Sequence, residues 1–136
     1  MPLSKDDRGI FMKIHHFGYL TSSIDSSVKE FSALGYVTFD KLYFDEVRGI
    51  NIQFIRSMSG ELIELIESVS ENSIVQGLLT KNKNSIYHIC YYIDDIQEKI
   101  STLSEQGFVL ISKPQPAIAL SNCNVAFLLS KNAGMV

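Results

Sequence analysis

Two kinds of apolar periodicity alternate along the first half of the chain. Residues 13–20 alternate apolar and polar side chains and are rich in aromatic residues, which predicts a β-strand. Apolar residues then recur every three or four positions from Ile24 to Leu34, which predicts a one-sided helix that ends at Gly35. Three more strands are predicted at about residues 36–43, 50–56 and 61–67. The pattern indicates a βαβββ unit.

The same pattern occurs again in the second half of the chain. Residues 14–37 align without a gap on residues 86–109, at an offset of 72 (86 − 14). A repeat of this length indicates a duplicated structural unit. It predicts strands at about residues 86–93, 108–112, 124–129 and from 134 onward, with a helix from about 96 to Gly107. The identical pairs are Ile14/Ile86, His16/His88, Tyr19/Tyr91, Ile24/Ile96, Ser32/Ser104, Gly35/Gly107 and Val37/Val109.

Two such units predict an α+β fold of two tandem βαβββ modules. We expect a curved mixed β-sheet that forms a cup, with the helices on its outer face. A single domain spans residues 12–136, divided into module one (12–68), a linker with a short helix (69–85) and module two (86–136). Residues 1–11 are expected to be an N-terminal extension, because Met12 directly precedes the first strand. Two prolines make residues 114–122 an irregular loop, a candidate lid.

The composition excludes several classes of partner. The 136 residues are 46% apolar with a net charge of −3, and Lys and Arg are scattered, so no basic surface for nucleic acid is expected. No apolar run approaches the roughly 18 residues of a membrane span. The two cysteines, Cys90 and Cys123, have no metal-binding spacing and are expected to be free thiols in a reducing cytosol. We therefore expect a cytoplasmic protein.

The repeat places two histidines at equivalent positions, where they could share a metal with an acidic residue. His16 and His88 are expected to face the inside of the cup, and Glu64 on the fourth strand to join them. Two imidazoles and a carboxylate suit a divalent first-row metal. Strand alternation turns His15 the other way, towards the helices. Glu61 and Glu67 also have the opposite parity to Glu64 and are expected in solvent.

Three amides and one thiol are further candidates for the cup. Strand alternation assigns three amide residues to the inside of the cup: Asn51, Gln53 and Asn124. Their side chains could bind polar groups of a substrate. The paired Asn51 and Asn124 could equally be structural residues at the starts of strands. Cys90 shares a strand face with His88, and we interpret it as a small apolar wall residue in preference to a metal ligand.

The second halves of the modules also correspond, with a small change of offset. Residues 51–55 align on residues 124–128, at an offset of 73 (124 − 51). The partner of Glu64 would then be residue 137, one position past Val136. The duplication therefore predicts a fourth site position there.

Several motifs, in order along the chain, resemble the vicinal oxygen chelate superfamily, and specifically its methylmalonyl-CoA epimerase and glyoxalase I-like branch. Ile14–Gly18 is similar to the opening I-D-H-I-G of this family, Ile63–Glu67 to I-E-L-L-E, and residues 87–96 to H-H-I-A-F-x-V-D-D-I. The sequence Val125–Leu128 is similar to V-A-F-L. The resemblance implies that His16, Glu64 and His88 bind one divalent metal, which could be Ni, Co, Zn, Mn, Mg or Fe.

The sequence departs from the family pattern at two points. The closing strand of the family carries an acid as fourth ligand, and the sequence reaches only Gly134–Val136 of that motif. Gln53 aligns where some epimerases carry an acidic base, and an amide does not accept a proton at neutral pH. Two-base epimerisation is therefore not expected.

The resemblance implies a metal-dependent lyase or isomerase that removes a proton next to a chelated carbonyl. The base would be the acid expected at position 137, or Glu64 if it can leave the metal. A thioester, a hemithioacetal or an oxo-acid are all possible substrates. Two other functions fit the same motifs: a non-catalytic binding module, as in bleomycin-resistance proteins, and an iron-dependent dioxygenase with a two-histidine, one-carboxylate site. A homodimer is also possible.

Overall fold

The computed structural model describes residues 12–71, 73–81 and 83–136. The extension predicted at residues 1–11 lies outside the described residues. Among the described residues, no helix is long and apolar enough to cross a membrane. The elements, in chain order, are β1 (Lys13–Leu20), α1 (Ile24–Ser32), β2 (Val37–Asp45), β3 (Ile50–Arg56), β4 (Leu62–Ser68), α2 (Ile74–Lys81), β5 (Ser85–Tyr92), α3 (Ile96–Glu105), β6 (Val109–Ala117), a 3₁₀ turn (Ile118–Leu120), β7 (Cys123–Ser130) and β8 (Gly134–Met135).

All eight strands form one curved mixed sheet, in the order β2-β3-β4-β1-β5-β8-β7-β6. The two modules join in its middle, where β1 pairs antiparallel with β5. Within the modules, β1 pairs parallel with β4 and β5 pairs parallel with β8. The predicted α+β fold of paired βαβββ modules is confirmed.

The outer face of module one packs against α1. Burial of Ile24 against Ile55, Ile63 and Leu65 anchors this helix. The side chain of Ser23 caps its N-terminus by accepting a hydrogen bond from the backbone of Ser26. A second acceptor comes from β4, because Glu67 Oε2 lies 2.8 Å from the backbone nitrogen of Ile24.

Glu67 therefore has a structural role. The prediction that it lies in solvent at a strand end is wrong, since it is part-buried and caps α1. A carboxylate here also complements the positive end of the helix dipole.

The inner face of module one is a buried apolar floor. It is covered by α2, from the predicted linker, and by the 3₁₀ turn. The residues of this cluster are Leu20, Ile50, Ile52, Phe54, Ile66, Val75, Leu79 and Ala119. The central strands β4, β1 and β5 lie beside this floor in the sheet.

The segment predicted as an irregular loop at residues 114–122 is mostly ordered secondary structure. Strand β6 continues through Pro114 and Pro116 to Ala117, and the 3₁₀ turn follows. Proline is tolerated because β6 is the last strand of the sheet and has one unpaired edge. Arg48, in the turn after β2, donates from Nη1 to the carbonyl of Pro116 at 3.2 Å. This bond links the two ends of the sheet across the cup.

Two β-bulges interrupt the pairing of β1 with β5. Ile14 pairs with Tyr91 and His16 with Cys90, which leaves His15 as an extra residue on β1. Gly18 pairs with His88 and Tyr19 with Ile86, which leaves Tyr87 as an extra residue on β5. A bulge breaks strict alternation, so consecutive side chains can turn to the same face. Each bulged residue directly precedes one of the two matched histidines.

Gly18 leaves the space in which the ring of His88 lies. A Cβ atom on Gly18 would be 2.0 Å from Cε1 and 2.2 Å from Nδ1 of His88. Both distances are far below any van der Waals contact, so a side chain on Gly18 and the present position of His88 are mutually exclusive. Glycine is therefore required at position 18 because the ring of His88 approaches it closely, and not because its backbone has an unusual conformation.

We predict that Gly18→Ala lowers the free energy of unfolding by about 1–3 kcal/mol, because the imidazole of His88 must move into a packed interior. Gly77→Ala is the matched control, since nothing lies within 4 Å of a Cβ on this helical glycine. Removing a helical glycine should stabilise the fold by up to about 1 kcal/mol. Urea unfolding of both variants measures the difference. Equal midpoints for Gly18→Ala and the unmodified protein would show that His88 is not held by this contact.

Candidate metal centre

Three neighbouring strands supply the candidate ligands. His16 lies on β1, Glu64 on β4 and His88 on β5. In the sheet, Gly18 is the direct cross-strand partner of both Glu64 and His88. The side chains of Glu64 and His88 therefore lie on either side of Gly18, which has no side chain. His16, two residues before Gly18 on β1, extends its side chain into the same space.

The ligand atoms of these residues converge. His16 Nε2 lies 3.5 Å from Glu64 Oε1 and 3.4 Å from His88 Nε2. His88 Nε2 lies 3.8 Å from Glu64 Oε1. Metal–ligand bonds of about 2.0–2.2 Å hold neighbouring ligand atoms roughly 3–3.6 Å apart. The three residues predicted from sequence therefore lie together. Two of the three distances are in the range for a metal ion, and the third exceeds it by 0.2 Å (3.8 − 3.6).

The site is buried and contains one carboxylate. His16, Glu64 and His88 are only 2, 7 and 4% exposed. Burial raises the pKa of Glu64, but the hydrogen bond and charge of His16, with the charge of His88, outweigh it and lower that pKa below its usual value. Among the described residues, the two histidines are the only groups that form ion pairs with Glu64. The charge of Arg48 also lowers this pKa, but Arg48 is ion-paired with Asp45 and not with Glu64. A buried carboxylate without an ion-paired Lys or Arg favours a bound positive ion.

The two histidines differ in their protonation. Burial lowers the pKa of His16, but hydrogen bonds to Cys90 and Glu64 outweigh burial and raise it to about 10. Burial lowers the pKa of His88 to about 4, because the charge of Glu64 compensates only in part. At neutral pH the metal-free site therefore holds one proton between His16 and Glu64, while His88 is neutral and ready to coordinate.

Aromatic rings surround the two imidazoles. Phe54 packs edge-on against His16 with ring centroids 5.3 Å apart, and Phe127 packs in the same way against His88 at 5.2 Å. Cys90 is the cross-strand partner of His16 and lies in the wall of the cavity beside that imidazole, where it helps to raise the pKa of His16. Nδ1 of His88 is buried and has no hydrogen-bond partner among the described residues.

The amides on β3 do not join this site. Phe54 is the cross-strand partner of Glu64, so Phe54 and Ile52 line the cup, and Asn51 and Gln53 point to the opposite face. The parity assigned from sequence to these two amides is wrong.

Both amides have structural partners there. Gln53 is buried and donates from Nε2 to the backbone carbonyls of Phe39 and Asp40, at 3.4 and 3.1 Å. Asn51 Nδ2 donates to Glu67 Oε1 at 3.3 Å and so supports the cap of α1.

Asn124 has a different position from the two amides on β3. It is exposed, pairs with Pro116 near the start of β7, and lines the same large cavity as His16, Glu64 and His88. Phe127, three residues further on, is the β7 residue that contacts His88. The structure therefore turns two of the three predicted amides away from the cup and places Asn124 in its wall.

His15 is the residue of this site that the sequence prediction missed. It was expected to face the helices, but the β1 bulge turns it towards His16, and their Nδ1 atoms lie 2.8 Å apart. Burial, and then the charge of His16, lower the pKa of His15. The sequence signal that could have located it is the repeat itself, which pairs His15–His16 with Tyr87–His88.

Comparisons with known proteins agree with this geometry. The Ethylmalonyl-CoA/methylmalonyl-CoA epimerase of Cereibacter sphaeroides is 33% identical over 85 residues, which cover 62% of this chain and 63% of that protein. The chain thus matches less than two thirds of that relative's length.

Solved structures share the fold. A hypothetical protein of Bacillus halodurans aligns with a TM-score of 0.75 and 27% identity, over 86% of this chain and 83% of that one. A methylmalonyl-CoA epimerase variant of Streptomyces coelicolor, in complex with 2-nitronate-propionyl-CoA, aligns with a TM-score of 0.72 and 20% identity, over 85% of this chain and 83% of that one.

The profile of one family matches most of the sequence, from residue 15 to residue 127. This range begins beside the first histidine ligand and ends at Phe127, the ring that packs against the second. Together with the paired βαβββ modules and the convergent trio, this match assigns the chain to the Glyoxalase/Bleomycin resistance protein/Dioxygenase superfamily, also called the vicinal oxygen chelate superfamily.

Proposed function

We propose that this protein is a metal-dependent isomerase of the epimerase type, which moves a proton next to the carbonyl of a thioester. The observation that carries the proposal is the convergence of two imidazoles and one buried carboxylate at a single point of the cup. The likeness to an acyl-CoA epimerase supports the reaction class. A glyoxalase I-type lyase would use the same proton transfer on a hemithioacetal.

His16, Glu64 and His88 would hold the metal. The donor set of two nitrogens and one oxygen suits a divalent first-row ion. A bound ion of this kind supplies Lewis acidity, because it stabilises negative charge that develops on a coordinated substrate oxygen. The protein contributes a dry site, since the rings of Phe54 and Phe127 shield the two imidazoles from bulk water.

Glu64 is the proposed base. The substrate C–H bond breaks, its proton passes to the carboxylate, and the electron pair moves towards the carbonyl oxygen. For the configuration to invert, a proton must return to the opposite face of the same carbon. We propose that water donates it there, and the resulting hydroxide takes the proton held by Glu64. Both ion pairs of Glu64 use Oε1, so Oε2 is the oxygen proposed to accept the proton. The lowered pKa keeps the carboxylate ionised at neutral pH.

The apolar floor of the cup favours a substrate with a non-polar portion beside its chelating oxygens. Ile50, Ile52 and Phe54 line the cavity that contains the three ligands. That cavity is continuous with the space beneath α3 and measures about 1250 Å³ in all. Typical small-molecule pockets measure roughly 300–1,000 Å³. The space therefore suits a small acid carried on a larger group, as in an acyl thioester.

A non-catalytic binding module is the second candidate function. It is favoured by the lack of an acidic side chain or a histidine on the cup face of β3, where Ile50, Ile52, Phe54 and Arg56 alternate, because none of these can act as a base at neutral pH. Such a module would bind a metal or a ligand without exchanging substrate protons.

Removal of a single ligand should abolish metal retention without unfolding the protein. We expect about one equivalent of divalent metal in protein purified without chelator, and none in His16→Ala or His88→Ala. Lys13→Ala is the control, because Lys13 is exposed on the same strand as His16. Elemental analysis with circular dichroism measures both properties. Equal metal content in all four proteins would exclude this trio as the binding site.

Metal affinity should rise with pH. The proton on His16, whose pKa is about 10, competes with the metal, whereas His88 with a pKa of about 4 is already neutral at pH 6 and above. Between pH 6 and 9 the association constant should increase about tenfold per pH unit, with release of one proton per metal. Calorimetric titration in buffers of different ionisation enthalpy counts this proton. No proton release across this range would contradict the assigned protonation.

Glu64→Gln separates binding from proton transfer. An amide oxygen can still coordinate a metal but cannot accept the substrate proton. We expect the variant to retain metal and to exchange the α-proton of methylmalonyl-CoA with deuterium oxide at least about 100-fold more slowly. Proton NMR follows the exchange. Undiminished exchange in Glu64→Gln would show that another group is the base. If the metal-loaded unmodified protein exchanges the proton of neither methylmalonyl-CoA nor a glutathione hemithioacetal, the result would favour the binding module.

A further inference from the structure

We propose that His15 is a positioning residue for the metal centre, which accepts a hydrogen bond from Nδ1–H of His16 and so directs the Nε2 lone pair of His16 at the metal. This inference rests on the proposed metal site. It concerns a residue outside the ligand trio, at a position that strand alternation would turn away from the cup.

The two ring nitrogens of His16 have separate partners. Nδ1 lies 2.8 Å from Nδ1 of His15, which is the distance of a good hydrogen bond. Nε2 lies 3.4 Å from His88 and 3.5 Å from Glu64, on the side where the ligand atoms converge. His16 therefore has one edge towards the proposed metal and one edge towards His15.

In neutral His16, the form that can bind a metal, one proton lies between the two Nδ1 atoms, and its position decides whether His16 can coordinate. If His15 donates it, neutral His16 carries its own proton on Nε2 and has no lone pair for a metal. If His16 donates it, Nε2 is deprotonated and available. The hydrogen bond and metal coordination by Nε2 thus require the same tautomer, and each favours the other.

Packing fixes the ring of His15 in the position from which it can accept this bond. The bulge on β1 turns the side chain into the cup, and the ring lies edge-on to both His16 and Phe54, with centroids 5.1 and 6.4 Å away. The equivalent bulge on β5 carries Tyr87, and there Nδ1 of His88 has no partner among the described residues. The two ligand histidines therefore differ, and only His16 has an outer acceptor in the described part of the chain.

The test uses two substitutions of nearly equal size, His15→Asn and His15→Leu. Asn keeps a hydrogen-bond acceptor attached to Cγ, as Nδ1 is in histidine, whereas Leu has the same branching without one. Loss of an outer hydrogen bond to a metal-bound histidine costs roughly 10–100-fold in metal affinity. We expect this loss in His15→Leu, and recovery to within a few-fold of the unmodified protein in His15→Asn. Competition titrations with Zn²⁺ and Co²⁺ alone give the affinities.

A spectroscopic readout separates positioning from a general effect on packing. In the Zn²⁺-loaded unmodified protein, long-range ¹H–¹⁵N spectra should show His16 protonated at Nδ1 and coordinated through Nε2. This tautomer should persist in His15→Asn and be lost or mixed in His15→Leu, with the fold unchanged by circular dichroism.

The outcomes distinguish this inference from the proposed function. If neither ion binds the unmodified protein, the metal site and the role of His15 are both excluded. If both ions bind it and the two variants match it, the metal site stands and the role of His15 is overturned. Equal losses in the Asn and Leu variants would also overturn it, because the acceptor atom would then not matter.

Discussion

The antiparallel pairing of β1 with β5 is the constraint on which the rest of the site depends. It joins the two modules and places His16 opposite Cys90 and His88 opposite Gly18. Cys90 and Gly18 occupy equivalent positions of the repeat, 72 residues apart (90 − 18). The imidazole of His16 therefore lies against Cys90, which is two positions after His88. The imidazole of His88 lies against Gly18, which is two positions after His16. The absence of a side chain on Gly18 leaves the space for the ring of His88, whose Nε2 lies 3.4 Å from Nε2 of His16.

The negative charge of the buried Glu64 carboxylate explains why this arrangement favours a metal ion. Burial of the Glu64 carboxylate is unfavourable unless a positive charge lies beside it. In the metal-free protein that charge is a proton on His16, whose pKa is raised by Cys90 and Glu64 against the effect of burial. A divalent ion would replace the proton and supply more charge at the same place. As pH rises and His16 loses its proton, the charge of Glu64 increasingly favours a bound cation.

The repeat in the sequence predicted that His16 and His88 lie together, because equivalent residues of duplicated modules meet near the axis that relates them. The single face of α1 and the bounds of β3 were also predictable, since both depend on local periodicity. The face of the sheet to which each β3 side chain points was not predictable from local periodicity. Whether Gln53 or Phe54 faces the cup depends on the register of β3 with β4, and a shift of one residue exchanges the two faces. The structure pairs Phe54 with Glu64, and so Gln53 is used to bind backbone carbonyls of β2.

The bulges are the second feature that local pattern could not reveal, and they explain why the modules have diverged in chemistry while keeping one fold. A bulge is a property of a strand pair, so its position depends on a partner about 70 residues away in sequence. Once present, it places two adjacent side chains in the cup, and the second of these is the candidate metal ligand in both modules. The first is then free to differ: His15 in module one supplies a polar edge to His16, whereas Tyr87 in module two packs against the apolar cluster that forms the floor. One duplicated backbone irregularity thus serves both the electrostatics of the site and the packing beneath it.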